Sequence, residues 1–130
     1  MNQELTITSG VAVGVKPLYK NDLSRASEGS YFFTYTVTIE NRNSFAVQLI
    51  HRNWSVFDSL QPAEDVEGPG VVGEQPVLQP GEIFDYTSGC ELHSEIGSMQ
   101  GFYTFRNLEN GSLFFVRIGR FELAFPARQN

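Results

Sequence analysis

Apolar and polar residues alternate with period two along most of this chain, the repeat that puts side chains on opposite faces of a β-strand. Val11, Val13 and Val15 alternate with small residues until Pro17 stops the run. Tyr31, Phe33, Tyr35, Val37 and Ile39 mark one face of a second strand, and Phe32, Thr34, Thr36 and Thr38 the other. Asn41-Arg42-Asn43-Ser44 is turn chemistry, after which Val47, Leu49 and Ile50 restart the pattern toward Trp54, Val56 and Phe57. The apolar phase changes between His51 and Trp54, which predicts a bulge or bend there.

Downstream, Pro80-Gly81 opens a strand carrying Ile83, Phe84 and Tyr86, and Met99, Gly101, Tyr103 and Phe105 alternate toward Asn107. Asn110-Gly111 predicts a type I′ hairpin turn, whose two central positions need positive φ. Leu113 to Phe125 forms the return strand, interrupted by Gly119. Short strands at regular spacing, with no helical pattern, predict an all-β sandwich or barrel. Residues 18–30 and 59–79 read as long connections, the places where binding residues concentrate. Phe121, Leu123 and Phe125 are candidates for a sheet edge or an exposed patch suited to a partner.

The 130 residues suffice for one domain with a single core, spanning 1–130. Nine basic against 15 acidic residues give a net charge of −6, which argues against nonspecific binding to nucleic acid or an anionic membrane. No stretch is long and apolar enough to span a bilayer, and Met1 to Leu5 lacks the basic start of a secretory signal. The lone Cys90 cannot form an internal disulfide, so the expected location is the cytoplasm.

The centre of the chain carries an ordered string. It runs Gly68-Pro69-Gly70-Val71-Val72-Gly73-Glu74-Gln75-Pro76, then Leu78, Pro80-Gly81-Glu82 and Tyr86-Thr87-Ser88-Gly89-Cys90, then Gly97-Ser98-Met99-Gln100-Gly101 and Tyr103. With Phe33, Tyr35, Val37, Ile39, Asn41, Arg52 and Trp54 upstream, this resembles the ApaG domain over about residues 5 to 126. Asn53 departs from the family pattern, which often has His or another large residue before the tryptophan. The resemblance implies an immunoglobulin-like or fibronectin-III-like sandwich of two antiparallel sheets. It also implies an association with cobalt and magnesium tolerance in bacteria, and with protein-binding modules in eukaryotes.

Gly68-x-Gly70-x-x-Gly73 matches the dinucleotide-binding pattern, in which glycines lead a strand into a helix that holds pyrophosphate. Pro76, Pro80 and Gly81 forbid that helix, Pro69 removes one amide, and Glu67 and Glu74 would repel an anion. The structural role, a connection needing unusual φ and ψ, therefore outweighs the ligand role. An anion nest for pyrophosphate or a nucleotide would need Arg42, His51 or Arg52 beside Gly68, Gly70 and Gly73. The acidic stretch Asp58, Glu64, Asp65 and Glu67 lacks calcium-loop spacing, and Cys90-x-x-His93 lacks a second ligand pair for zinc. No metal site, cofactor or catalytic set is expected. Trp54 reads as a core residue. The expected function is a non-catalytic binding module for a protein partner, with a binder of phosphorylated nucleotides or divalent cations as the alternative.

Overall fold

The computed structural model describes residues 5–126. Nine strands are found among them: β1 (Leu5–Thr8), β2 (Val11–Tyr19), β3 (Tyr31–Asn41), β4 (Val47–Asp58), β5 (Gln61–Pro69), β6 (Val77–Leu78), β7 (Ile83–Leu92), β8 (Ile96–Asn107) and β9 (Leu113–Ala124). They form two antiparallel sheets, one ordered β1-β2-β3-β7 and the other β5-β4-β8-β9 with β6 on β4. This is the predicted two-sheet sandwich. The inward residues of β3, namely Phe33, Tyr35, Val37 and Ile39, face Leu49, Trp54, Met99, Tyr103 and Phe105 of the opposite sheet. Trp54 is in the core, as predicted, 5.3 Å from the Tyr35 ring and 5.9 Å from that of Phe121. No helix among the described residues is long and apolar enough to cross a membrane.

Two bulges set which side chains reach the interior. The β4–β8 register shifts between Leu49 and His51, so Ile50 is the extra residue. That lies just before the predicted stretch. Inward positions are odd before it (Val47, Leu49) and even after it (Arg52, Trp54). The second bulge is the interruption at Gly119: one residue of β8 between Met99 and Gly101 opposes two of β9. The inward phase of β9 then passes from Val116 and Ile118 to Phe121 and Leu123.

The structure corrects several expectations. Residues 59–79 are not one long loop, because β5 and β6 lie within them and both pair with β4. Almost every residue of β5 is exposed, so no apolar alternation marks it; its backbone ladder on β4 holds it. Its charges and terminal proline suit an edge strand that must not recruit another chain. Phe121 and Leu123 lie on the edge strand β9, one of the two expected placements, but with Phe125 they form no exposed patch: the bulge turns the first two onto the core and Phe125 packs edge-on against Tyr19 and Tyr31. The turn before β9 is not type I′. The Asn107 side-chain oxygen accepts the Glu109 amide at 2.8 Å, and only Gly111, at φ +77°, is left-handed. The hairpin with two positive-φ central residues is instead Ser9-Gly10, between β1 and β2.

Candidate functional site

The Ile50 bulge turns Arg52 inward on β4, between Gly68 of β5 and Tyr103 of β8. The Arg52 guanidinium lies flat against Gly68, where an added Cβ would sit 3.0 Å from Nη2. Its Nη1 donates to the carbonyl oxygens of Pro69 and Gly70, each at 3.0 Å. His51 projects to the other face, where its ring lies 3.1 Å from the Glu67 carboxylate. Of the predicted anion set, Arg52 and the glycine segment are therefore brought together, and His51 is on the opposite side of the sheet.

The segment after β5 is tied to the bulge. The Gly70 amide and the Gln75 side-chain amide both donate to the Ile50 carbonyl at 2.9 Å. Val71 and Glu74 exchange backbone hydrogen bonds across a two-residue turn, Val72-Gly73, with φ of +43° and +81°. A β-branched residue is rarely held in that left-handed region. Gly70 has no substitute: a Cβ there would fall 2.0 Å from the Glu74 carbonyl oxygen. The amides of Gly70, Val71 and Glu74 are thus bonded within the protein, and the carbonyls of Pro69 and Gly70 face Arg52.

On the open side of the sandwich, between β4 and β7, Arg52, Tyr35, Trp54, Tyr86, Ser88 and the Val71–Gly73 turn line a cavity of about 180 Å³. Tyr35 and Ser88 stand directly opposite each other on β3 and β7. Deeper in, the Tyr86 and Tyr103 hydroxyls meet at 2.5 Å. Burial pushes the phenols of Tyr35, Tyr86 and Tyr103 above their ordinary range, opposed by hydrogen bonds from Ser88 on Tyr35 and from Tyr103 on Tyr86, and least by Arg52. The Cys90 thiol on β7 is raised to about 11, first by burial and then by Glu64, Asp58 and Glu91. It is protonated at neutral pH, which is the opposite of an activated nucleophile. At the end of the same side, Asp58 accepts from the backbone N–H of His93 at 2.6 Å and from the Ser94 hydroxyl. Among the described residues no three His, Cys, Asp or Glu side chains converge to hold a metal ion.

The outer face of the β5-β4-β8-β9 sheet carries a groove of about 420 Å³. One rung across it reads Glu67, Asn53, Phe102, Arg117, and the next reads Asp65, Ser55, Gln100 and then the Gly119-Arg120 bulge. The groove has an anionic bank on β5, an amide and hydroxyl floor, and a cationic bank on β9, about 14 Å apart at three strand spacings. Phe102 and Phe115 close one end as an edge-on pair with centroids 5.4 Å apart, and Phe115 is 64% exposed.

A family model described as the ApaG domain matches residues 21–107. The chain belongs to the ApaG domain family. Protein ApaG of Mesorhizobium japonicum is 43% identical over 120 residues, covering 92% of both chains. Protein ApaG of Thiobacillus denitrificans is 44% identical over 116 residues, 89% of this chain and 91% of its own. The crystal structure of the putative ApaA protein from Bordetella pertussis superposes with a TM-score of 0.84 at 44% identity, over 95% of each chain.

Within this ApaG domain, sequence reasoning picked out Arg52, Gly68, Gly70 and Gly73, favouring a structural role for the glycines with an anion nest as the alternative. Their observed contacts are to Arg52 and to β4. Tyr35 and Ser88 were missed as a pair, because only the β3–β7 register sets them side by side. The outer groove was missed with them: β5, which supplies its anionic bank, has no strand pattern in the sequence.

Proposed function

We propose that this ApaG domain is a non-catalytic binding module that recognises a protein partner on the outer face of its β5-β4-β8-β9 sheet. The observation that carries the reading is the groove with opposite charges on its two banks and the exposed Phe102–Phe115 pair at its end. An extended polypeptide offers acidic, basic and apolar side chains at spacings that such a surface can meet, and aromatic anchors dominate binding energy. Nucleic acid is a poor occupant, because the net charge is −6 and β5 presents Glu64, Asp65 and Glu67. Protein recognition is favoured over pyrophosphate or a nucleotide at the glycine segment, where three amides are already bonded and Glu74 is adjacent. It is also favoured over divalent cations, for which the described residues offer no convergent ligands. A single cysteine with no partner for an internal disulfide supports a reducing compartment, the cytoplasm.

The test is affinity capture with the wild-type chain, Phe102→Ser/Phe115→Ser and Arg117→Glu. These side chains point outward, so the variants should keep the wild-type melting temperature within a few degrees. A partner retained by wild type and lost by the variants supports the reading. Equal retention by all three, or no capture above a control with a scrambled outer face, overturns it.

A further inference from the structure

We infer that the cavity between the sheets, lined by Arg52, Tyr35 and Ser88 and covered by the Val72-Gly73 turn, is a binding site for the head group of a small monocarboxylate. The site lies on the opposite side of the β5-β4-β8-β9 sheet from the groove and is independent of it.

The half-buried Arg52 guanidinium, turned toward Trp54 and Tyr103, loses part of its hydration, and such a charge gains from compensation. Two loop carbonyls satisfy Nη1. Among the described residues no carboxylate lies within 4.0 Å of Arg52. The edge formed by Nε and Nη2 is the geometry that receives a carboxylate through two parallel hydrogen bonds. Tyr35 and Ser88, facing each other on neighbouring strands with the phenol hydrogen-bonded to the serine side chain, bring a hydroxyl pair to the same cavity.

Charge and size then select the ligand. Arg52 is the one charged side chain in the lining, which matches a single negative charge; a phosphate dianion would call for a second cation. A volume of about 180 Å³ is close to that of engineered cavities of about 150 Å³ that take benzene, and it is well short of a nucleotide site. Trp54, Tyr86 and Val71 offer apolar walls to a short acyl chain or one ring. The Val72-Gly73 turn covers the cavity. Val72 is held at φ +43° by the Val71–Glu74 hydrogen bonds, with its side chain 54% exposed at the mouth of the cavity.

The experiment titrates isotope-labelled full chain with benzoate and propionate, and in parallel with inorganic phosphate, reading the Arg52 Nε–H and the Val72 and Gly73 amides by NMR. Saturable shifts at these groups with the carboxylates are expected. Arg52→Gln should weaken binding roughly tenfold to a hundredfold, the loss of a charge-assisted hydrogen bond. Because Arg52 also braces the Pro69-Gly70 carbonyls, Ser88→Ala is the control that leaves the turn intact; a loss of about threefold to tenfold is expected there. Flat spectra at tens of millimolar carboxylate overturn the inference, as do shifts that both variants retain. Tighter binding of phosphate at the same groups overturns the choice of carboxylate.

Discussion

The hydroxyls of Tyr86 and Tyr103 are the sharpest place to test how polar groups are held inside this sandwich. Tyr103 is fully buried, whereas Tyr86 is 8% exposed and borders the Arg52 cavity. Their oxygens are 2.5 Å apart. Tyr86→Phe leaves the Tyr103 hydroxyl with no partner and no route to water, a loss of about 2–3 kcal/mol. Tyr103→Phe leaves a Tyr86 hydroxyl that water in the cavity can reach, so about 1 kcal/mol is expected. The double change removes both polar groups and should cost about as much as Tyr103→Phe alone. The second substitution is therefore predicted to rescue the first. Urea unfolding of the four proteins gives the cycle directly, and each kcal/mol should move the melting temperature by roughly 3–6 °C. If Tyr103→Phe adds a further full loss on top of Tyr86→Phe, the two hydroxyls are not each other's essential partner and the reasoning fails.

Gly70→Ala should destabilise by more than about 3 kcal/mol, because its Cβ would meet the Glu74 carbonyl at 2.0 Å in a left-handed backbone. Gly73→Ala, with nothing within 4 Å of its Cβ, should cost only the left-handed penalty of about 1–2 kcal/mol; equal losses at both sites would refute the steric reading. The phenols of Tyr35, Tyr86 and Tyr103 are raised by burial, so above pH ~10 the folded chain binds more protons than the unfolded one and stability falls as pH rises. Absorbance at alkaline pH should show Tyr86 and Tyr103 ionising only with unfolding. Burial opposes ionisation of Asp58, but hydrogen bonds from Ser94 and from the amides of His93 and Leu60 outweigh it and hold its carboxyl below the usual range. Its contribution is present above pH ~4 and lost as pH falls through the lowered value. Asp58→Ala should flatten that acid limb and cost about 1–3 kcal/mol at neutral pH by stranding the His93 amide; an unchanged acid limb would count against it.

The elements that were legible in the sequence are those with one buried face. β3 alternates so cleanly because Phe33, Tyr35, Val37 and Ile39 go to the core while the threonines between them face out. β5 has no buried face, so its sequence reads as a polar loop and only the partner strand reveals it. The Asn110-Gly111 turn was misread because the dipeptide preference was outcompeted locally by Asn107, whose side chain holds the amide of Glu109. Conversely, Val72 in a left-handed turn contradicts residue preference, and its neighbours impose it: Val71 and Glu74 are locked to each other on either side.

The Ile50 bulge explains why the candidate cavity was the hardest feature to foresee. The phase change was visible only from the next apolar inward residue, Trp54, because the inward position before it is occupied by Arg52. A polar residue at an inward position looks like a break in the pattern, and so the bulge was placed later than Ile50. Without the extra residue His51 would face the interior and Arg52 the outer groove, adding a third cation to a surface that already carries Arg117 and Arg120. One inserted residue thus does two things. It moves a positive charge from the solvent face to the gap between the sheets, and its freed carbonyl anchors the segment that covers that charge. The glycines that looked like a phosphate cradle follow from the same geometry. Gly68 gives the guanidinium room to lie flat, and Gly70 lets the chain turn back under the Glu74 carbonyl.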